Sequence, residues 1–495
     1  MNKMIHINQK DNVAVALMPV QEGEVFSFSG VSVTAQQDIP QGHKMALTDL
    51  PEGSQIIKYS FPIGHVTAEV KKGGWIHTHN VKTGLSEESN YVYNPAIRPL
   101  APIAEETFSG YRWEDGRVGI RNEVWIIPTV GCVNDVSATM VRENQDLVSE
   151  FGLDGLYSFP HPYGCSQMGD DHATTRKILA DLVRHPNAGA ILVVGLGCEN
   201  ITMEQFKTEL GQWNDSRVKF MVCQDYEDEL EKGGELLREL AQYAGQFKRQ
   251  PQPMSELVVG MKCGGSDGLS GITANPTVGA FSDLLVAQGG SVMLTEVPEM
   301  FGAEEALLNR CVDEEVFGRA VDMINSFKDY FTSHNQVVYE NPSPGNKQGG
   351  ITTLEDKSLG CVQKGGTAPV VDVLQYGDPI RKRGLTLLSA PGNDLVSATA
   401  LTVSGCHVVL FTTGRGTPFS APAPTVKISS NNALYSKKSN WIDFNAGSVV
   451  EGETIAQAGR RLMDFVKEIA SGERQTKAEE NNYRGIAIFK DGVTL

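Results

Sequence analysis

The 495-residue sequence has no CxxC pair and no GxxxxGK[ST] stretch. The first absence removes the usual spacing of a zinc knuckle or an iron–sulfur cradle. The second removes the Walker phosphate loop. No apolar run approaches the ~20 residues of a membrane span, and the N-terminal MNKMIHINQKDNVAVAL lacks the apolar core and small-residue cleavage site of a secretion signal. These absences lead us to expect a cytoplasmic protein with no membrane partner. Basic residues are also short: 43 Lys and Arg stand against 60 Asp and Glu, a net charge of −17. That balance argues against nucleic acid as a partner, because phosphate binding needs a basic footprint. One local Arg or Lys can still hold a small anion. Eight cysteines in so long a chain are not a disulfide scaffold; they are buried apolar groups, nucleophiles or metal ligands.

What is present divides the chain into parts. Residues 1–85 carry short alternating runs (NVAVAL, QIIKYS, HVTAEV) between turn signals such as PQGHK and LPEGS, the pattern of a small antiparallel β module. Residues 86–107 are rich in proline and polar residues and aperiodic, as in a linker. Residues 108–250 alternate strand and helix, with strands expected at Glu123–Val130, Leu156–Phe159, Ala190–Gly195 and Val218–Cys223. This order predicts a mainly parallel sheet covered by helices. Residues 256–495 again mix apolar strands (ELVVGMK, SVMLTEV, APVVDVL, HVVLFTTG) with helices, joined by long glycine-rich loops. The fold class expected is therefore multidomain α/β: an N-terminal β module, then two α/β domains with mainly parallel sheets.

Chemistry-bearing residues gather after the expected strands. Cys132, Cys165, Cys198 and Cys263 each follow a strand, with glycine nearby. Ligands bind at that edge of open α/β sheets, so the four thiols either line a pocket, ligate a soft metal or are simply buried. GLGCEN follows a strand but puts Asn200 where a dinucleotide fingerprint wants its third glycine, which argues against a nicotinamide or flavin cofactor, although a nicotinamide oxidoreductase using this edge stays open; Glu199 adds a carboxylate there. CGGSDGLSGITANP offers Ser266, Asp267, Ser270, Thr273 and Asn275 to a polyhydroxylated substrate. TEVPEMFGAE supplies Glu296, Glu299 and Glu304, NPSPGNKQGG supplies Lys347, and FTTGRGTP supplies Arg415 and Thr417. Arginine between glycines suits a carboxylate. In GGWIHTHNVKTG, His77 and His79 would share one face if the stretch were a strand, and imidazole suits Fe, Mn, Zn and Ni. PQGHKMAL adds His43 and Lys44 in a turn.

DNVAVAL, PQGHKMAL, HPYGCSQMGDD, GLGCEN, CGGSDGLSGITANP, NPSPGNKQGGITTLEDKSLG and FTTGRGTP together resemble the altronate/galactarate dehydratase family over nearly the whole chain, with an N-terminal module like a SAF domain, a small β-clip fold. The resemblance implies a hydro-lyase acting on altronate in hexuronate breakdown, or on a related aldonate or aldarate. It also implies activation by Fe2+ or Mn2+. A non-catalytic sugar-acid binding protein is the other reading, and a homo-oligomer is left open. On the family's chemistry, the expected metal set is His77 and His79 with Glu296 or Glu199, between the N-terminal module and the α/β body. The rival set is Cys132, Cys165, Cys198 and Cys263. His43 is the expected base or acid and Lys44 the holder of the substrate carboxylate. Ser266, Asp267, Thr273, Asn275, Lys347, Arg415 and Thr417 are expected at the substrate.

Overall fold

A computed structural model describes residues 3–28, 30–85 and 91–495. The N-terminal module consists of small antiparallel sheets. The largest runs in the order Met4–Ile5, Val13–Ala16, Lys44–Ala46, Trp75–Ile76. The alternation in VAVA explains how the module is held. Ala14 and Ala16 point into its own core with Met4, Val33 and Met45. Val13 joins the large core of the C-terminal domain, and Val15 packs on Leu269 and Ile272. All four positions of this strand are buried, so the module is seated on the C-terminal domain along an apolar face.

Within the expected linker, residues 86–90 lie outside the described part. The chain beyond them runs along the C-terminal domain, where Tyr93 donates to the Cys311 carbonyl. At Thr107–Arg112 it becomes a strand pairing with Val118–Gly119 and Gln250–Pro253.

The second domain carries a four-stranded parallel sheet in the order Gly155–Ser158, Glu123–Pro128, Ala188–Gly195, Val218–Val222. Its two central strands, Glu123–Pro128 and Ala188–Gly195, are buried on both faces. Val124, Ile126, Leu192 and Val194 point to one side, and Trp125, Ile127, Ile191 and Val193 to the other. That explains their continuous rather than alternating hydrophobicity. The C-terminal sheet has seven parallel strands in the order Val370–Leu374, Gly384–Leu388, Ser291–Leu294, Val258–Cys263, Val408–Thr413, Thr425–Ser429, Phe444–Asn445. Helices Ala274–Ala287 and Ile455–Ala470 cover one face through Phe281, Leu285, Leu462 and Val466. Helix Asp394–Val403 covers the other through Ala400 and Leu401. Among the described residues no helix is long and apolar enough to cross a membrane.

Both sheets reverse direction. In the C-terminal domain the chain leaves Val258–Cys263 to one side and later returns to its other side with Val408–Thr413. In the second domain the same happens between Glu123–Pro128 and Ala188–Gly195. At such switch points the loops part and leave a crevice outside the carboxyl ends of the strands.

Candidate active site

At the C-terminal domain's switch point the loop after Cys263 is organised by Asp267. Its Oδ1 accepts from the Ser270 amide and hydroxyl, each at 2.9 Å, and from the Ser430 hydroxyl at 2.8 Å. Its Oδ2 accepts from Asn431 at 3.1 Å. Asn275 donates to the Gly360 carbonyl and accepts from the Thr412 hydroxyl, and the Thr273 hydroxyl lies 2.7 Å from the Ser430 carbonyl. These three residues, expected at the substrate, hold the loop together. Ser266 differs: its hydroxyl is buried without a partner, while its carbonyl accepts from Asn346. Asn346 belongs to the short helix Pro344–Gln348, capped by Ser343. That helix carries half-buried Lys347, and exposed Arg415 reaches toward it, with Nη1 at 3.4 Å from both the Gly345 carbonyl and Gln348 Oε1. Thr417 stands half-buried two residues further on and accepts from the Phe419 amide.

The N-terminal module closes the crevice. Gly42 has a φ of +82°, and a Cβ there would come 2.7 Å from the Gly349 carbonyl oxygen, which already accepts from Gly268 at 2.7 Å. Three backbones meet at a point where a side chain does not fit. Gly42→Ala is expected to force the module outward and to cost about 1–3 kcal/mol of strain, read as a lowered thermal midpoint together with reduced turnover.

Next to Gly42, His43 and His77 pack with ring centroids 4.5 Å apart. Trp75 Nε1 donates to His43 Nδ1 at 3.1 Å, which fixes the neutral tautomer: the ring proton is on Nε2, 3.4 Å from the Gln348 carbonyl. His77 stacks on Trp75, with Nδ1 3.4 Å from the Thr352 hydroxyl. Burial lowers both imidazoles below their ordinary value; for His77, the charges of Lys44 and His43 add to burial and take it down to about 3. Residues 77–80 form a turn, not a strand: Asn80 Oδ1 accepts the His77 amide and the Asn80 amide returns to the His77 carbonyl. His77 therefore points inward and His79 is exposed, each against Trp75.

Lys44 lies beneath this cluster. It donates to Asp356 at 2.8 Å and to the Gly350 carbonyl at 2.9 Å, and Lys58 donates to the other Asp356 oxygen at 2.9 Å. All three side chains are buried. Burial opposes the charge on Asp356, but the two lysines outweigh it and hold the carboxyl far below the usual range; burial brings Lys44 down to about 8. The pair of lysines thus ties the module to the C-terminal domain.

The floor of the crevice is also ionic. Cys263 Sγ lies 3.3 Å from Cys361 Sγ, 2.8 Å from Glu299 Oε2 and 3.1 Å from Lys364 Nζ, and Lys357 pairs with Glu299 at 2.7 Å. A hydrogen bond from Cys361, helped by Lys364 and Lys357, holds the Cys263 thiol down at about 7 against its burial. Among the described residues, Cys263, Glu299 and Cys361 form the one set of three metal-type donors whose ligand atoms lie within 4.8 Å of one another. Glu296 stands beside them in a left-handed conformation, φ 70°, and its two oxygens accept from Lys262 and the Cys263 amide. Such strain in a non-glycine residue is a mark of functional sites.

The expected metal set is not drawn together. Glu296 is engaged as above. Glu199 is in the second domain, where it accepts from Thr129 and from the Leu196 and Gly197 amides. Trp75, Thr352, Asp356, Lys357, Cys361 and Lys364 were not anticipated. Trp75 lies in GGWIHTHN; the signal of the other five is ITTLEDKSLGCVQKGG, a stretch with charges that the structure buries almost throughout.

The chain matches three family models in sequence: an altronate/galactarate dehydratase SAF domain over residues 2–84, a D-galactarate dehydratase/altronate hydrolase second domain over 110–245, and a D-galactarate/altronate dehydratase C-terminal domain over 254–494. The chain belongs to the altronate/galactarate dehydratase family. Members of this family similar to it include the altronate dehydratase of Escherichia coli, 52% identical over 493 residues and 99% of both chains. The altronate dehydratase of Bacillus subtilis is 52% identical over 502 residues and all of both chains. The galactarate dehydratase (L-threo-forming) of Escherichia coli is 35% identical over 516 residues, 98% of this chain and 96% of its own. The three family models divide the chain near the breaks seen in the fold, and the crevice lies between the first and the third.

Proposed function

We propose that this protein is a carbon–oxygen lyase that dehydrates D-altronate to 2-dehydro-3-deoxy-D-gluconate. Full-length identity of 52% to two altronate dehydratases supports the substrate. The observation that carries the chemistry is the His43–Trp75–His77 cluster, two neutral imidazoles of fixed orientation at the mouth of a switch-point crevice.

Dehydration removes the proton on C2, next to the carboxylate, and the hydroxyl on C3. Arg415 and Lys347 take the carboxylate. His77 is neutral in the free protein and accepts the C2 proton, the negative charge of the bound substrate offsetting the burial and the Lys44 charge that otherwise oppose an imidazolium there. His43 cannot accept at Nδ1, which Trp75 occupies, so it presents Nε2–H as a fixed hydrogen-bond donor to the departing hydroxyl. The proton on His77 then leaves with that hydroxyl as water, and the enol becomes the 2-keto acid. The unpartnered Ser266 hydroxyl is available to a sugar hydroxyl.

The Fe2+ or Mn2+ implied by the family would supply Lewis-acid stabilisation of the developing enediolate. Cys263, Glu299 and Cys361 do not fit such a dication as they stand. Lys357 already balances the Glu299 carboxylate, Lys364 donates to Cys263 Sγ, and neighbouring anions hold both lysines protonated.

The test is product formation from a panel of aldonates and aldarates, run anaerobically with ferrous iron or manganese. D-altronate is expected to give 2-keto acid with the highest kcat/KM; no product from any of the panel would rule out the lyase.

A further inference from the structure

The second domain's switch point holds three thiols that the reaction above does not use. Of the eight cysteines only Cys132, Cys165 and Cys198 are exposed; the other five are buried. The three stand on the three loops that leave adjacent parallel strands, and the backbone ties those loops to one another. The Gly131 amide donates to the Tyr163 carbonyl at 2.8 Å, the Ile201 amide to the Gly164 carbonyl at 3.1 Å, and the Ser166 amide to Asn200 Oδ1 at 2.9 Å. Each bond lies within one to three residues of a thiol. Gly164, at φ +97°, packs so closely on Thr129 that a Cβ would meet its carbonyl oxygen. Buried His161 braces the middle loop, with Nε2 on the Pro128 carbonyl at 2.8 Å and Nδ1 accepting the Tyr163 amide at 3.2 Å. The last residue, Leu495, donates to the Ser166 carbonyl at 2.9 Å and ties down the same loop. This is a braced scaffold presenting three thiols, none of which packs into a core.

We propose that Cys132, Cys165 and Cys198 hold an iron–sulfur cluster through three of its irons, leaving one iron without a protein thiolate. A single ion does not suit the three thiols as they stand. Zn–S bonds of ~2.3 Å would bring tetrahedral sulfurs about 3.8 Å apart, whereas these three sulfurs do not all lie within 4.8 Å of one another. Thiolates bound to separate irons bridged by sulfide stand further apart, as three loops at a sheet edge allow. Gln224 Nε2, 3.8 Å from Cys198 Sγ, supplies the N–H contact to sulfur that tunes such clusters. No CxxC is needed, because the sheet and not the sequence brings the thiols together. Assembly takes ferrous and ferric iron with sulfide, and the three thiol protons leave to solvent. The proposal does not depend on the identity of the substrate.

The full-length chain, purified and reconstituted anaerobically with ferrous and ferric salts, sulfide and a thiol reductant, is expected to bind about four iron and four sulfide and to show a broad visible absorbance that dithionite bleaches. Cys132→Ser, Cys165→Ser and Cys198→Ser should each lower bound iron and sulfide several-fold, while Cys311→Ser leaves both unchanged. Should the serine variants misfold, alkylation decides: three thiols of the untreated wild type react quickly and become protected on reconstitution. Iron bound without sulfide, iron content indifferent to the three substitutions, or thiols that remain reactive after reconstitution would each overturn the proposal.

Discussion

Asp356→Asn is expected to be among the most damaging single substitutions in the chain, lowering stability by about 3–5 kcal/mol. The carboxylate is the shared counter-ion of Lys44 and Lys58, at 2.8 and 2.9 Å, with all three side chains buried. Asparagine keeps the shape but leaves two ammonium groups buried without a negative partner, and an uncompensated buried charge is what makes a broken pair costly. The loss falls where the N-terminal module meets the C-terminal domain. The first transition in a denaturant titration should therefore move, and turnover should fall because His43 and His77 lose their seat over the crevice. The acid dependence has a definite sign. The folded pKa of Asp356 lies well below its unfolded value of about 4, so its contribution is full above that value and is lost as pH falls below it. The stability gap between wild type and Asp356→Asn should accordingly be full near neutrality and narrow below about pH 4.

The second large effect is catalytic. His77→Ala, and His77→Gln, which keeps a polar side chain of similar reach, should each reduce kcat by about 10²–10⁴-fold, with KM much less affected because the proposed mechanism assigns the substrate carboxylate to Arg415 and Lys347. Burial and the neighbouring charges lower the His77 imidazole to about 3 in the free protein, so it stays neutral down to strongly acidic pH. The kcat/KM profile, which reports the free enzyme, should show no acid limb at the ordinary histidine value of about 6.5. Such a limb, abolished in His77→Gln, would show that the imidazole titrates normally and that its burial is not as described.

How much of this was legible in the sequence follows from how local each feature is. The two central strands of the second domain announce themselves as apolar runs because they are buried on both faces. Thr425–Ser429 in the C-terminal sheet does not: it carries Lys427 and two hydroxyl residues, and it is buried by what surrounds it, with Asp443 accepting the Lys427 amide at 2.7 Å. His43 and His77 stand out as imidazoles in a small β module, and the turn that carries His43 is readable. Their partners are not. Lys44 and Asp356 are 312 positions apart, and no spacing rule spans that distance. Asp267 looks in sequence like a group waiting for a sugar hydroxyl, yet in the fold its oxygens are taken up by Ser270, Ser430 and Asn431. The His77–His79 pair misled for a related reason: the period-two argument needs a strand, and Asn80 turns the chain one residue after the pair.

Dehydration at this crevice can be tested in D2O with D-altronate as substrate, following the product by mass spectrometry as it forms. If C2–H and C3–OH are lost through an enol, the 2-keto-3-deoxy product carries one deuterium at C3, and His77→Ala forms it at least about 100-fold more slowly. A product with no deuterium at C3, or one formed equally fast without His77, would contradict the account.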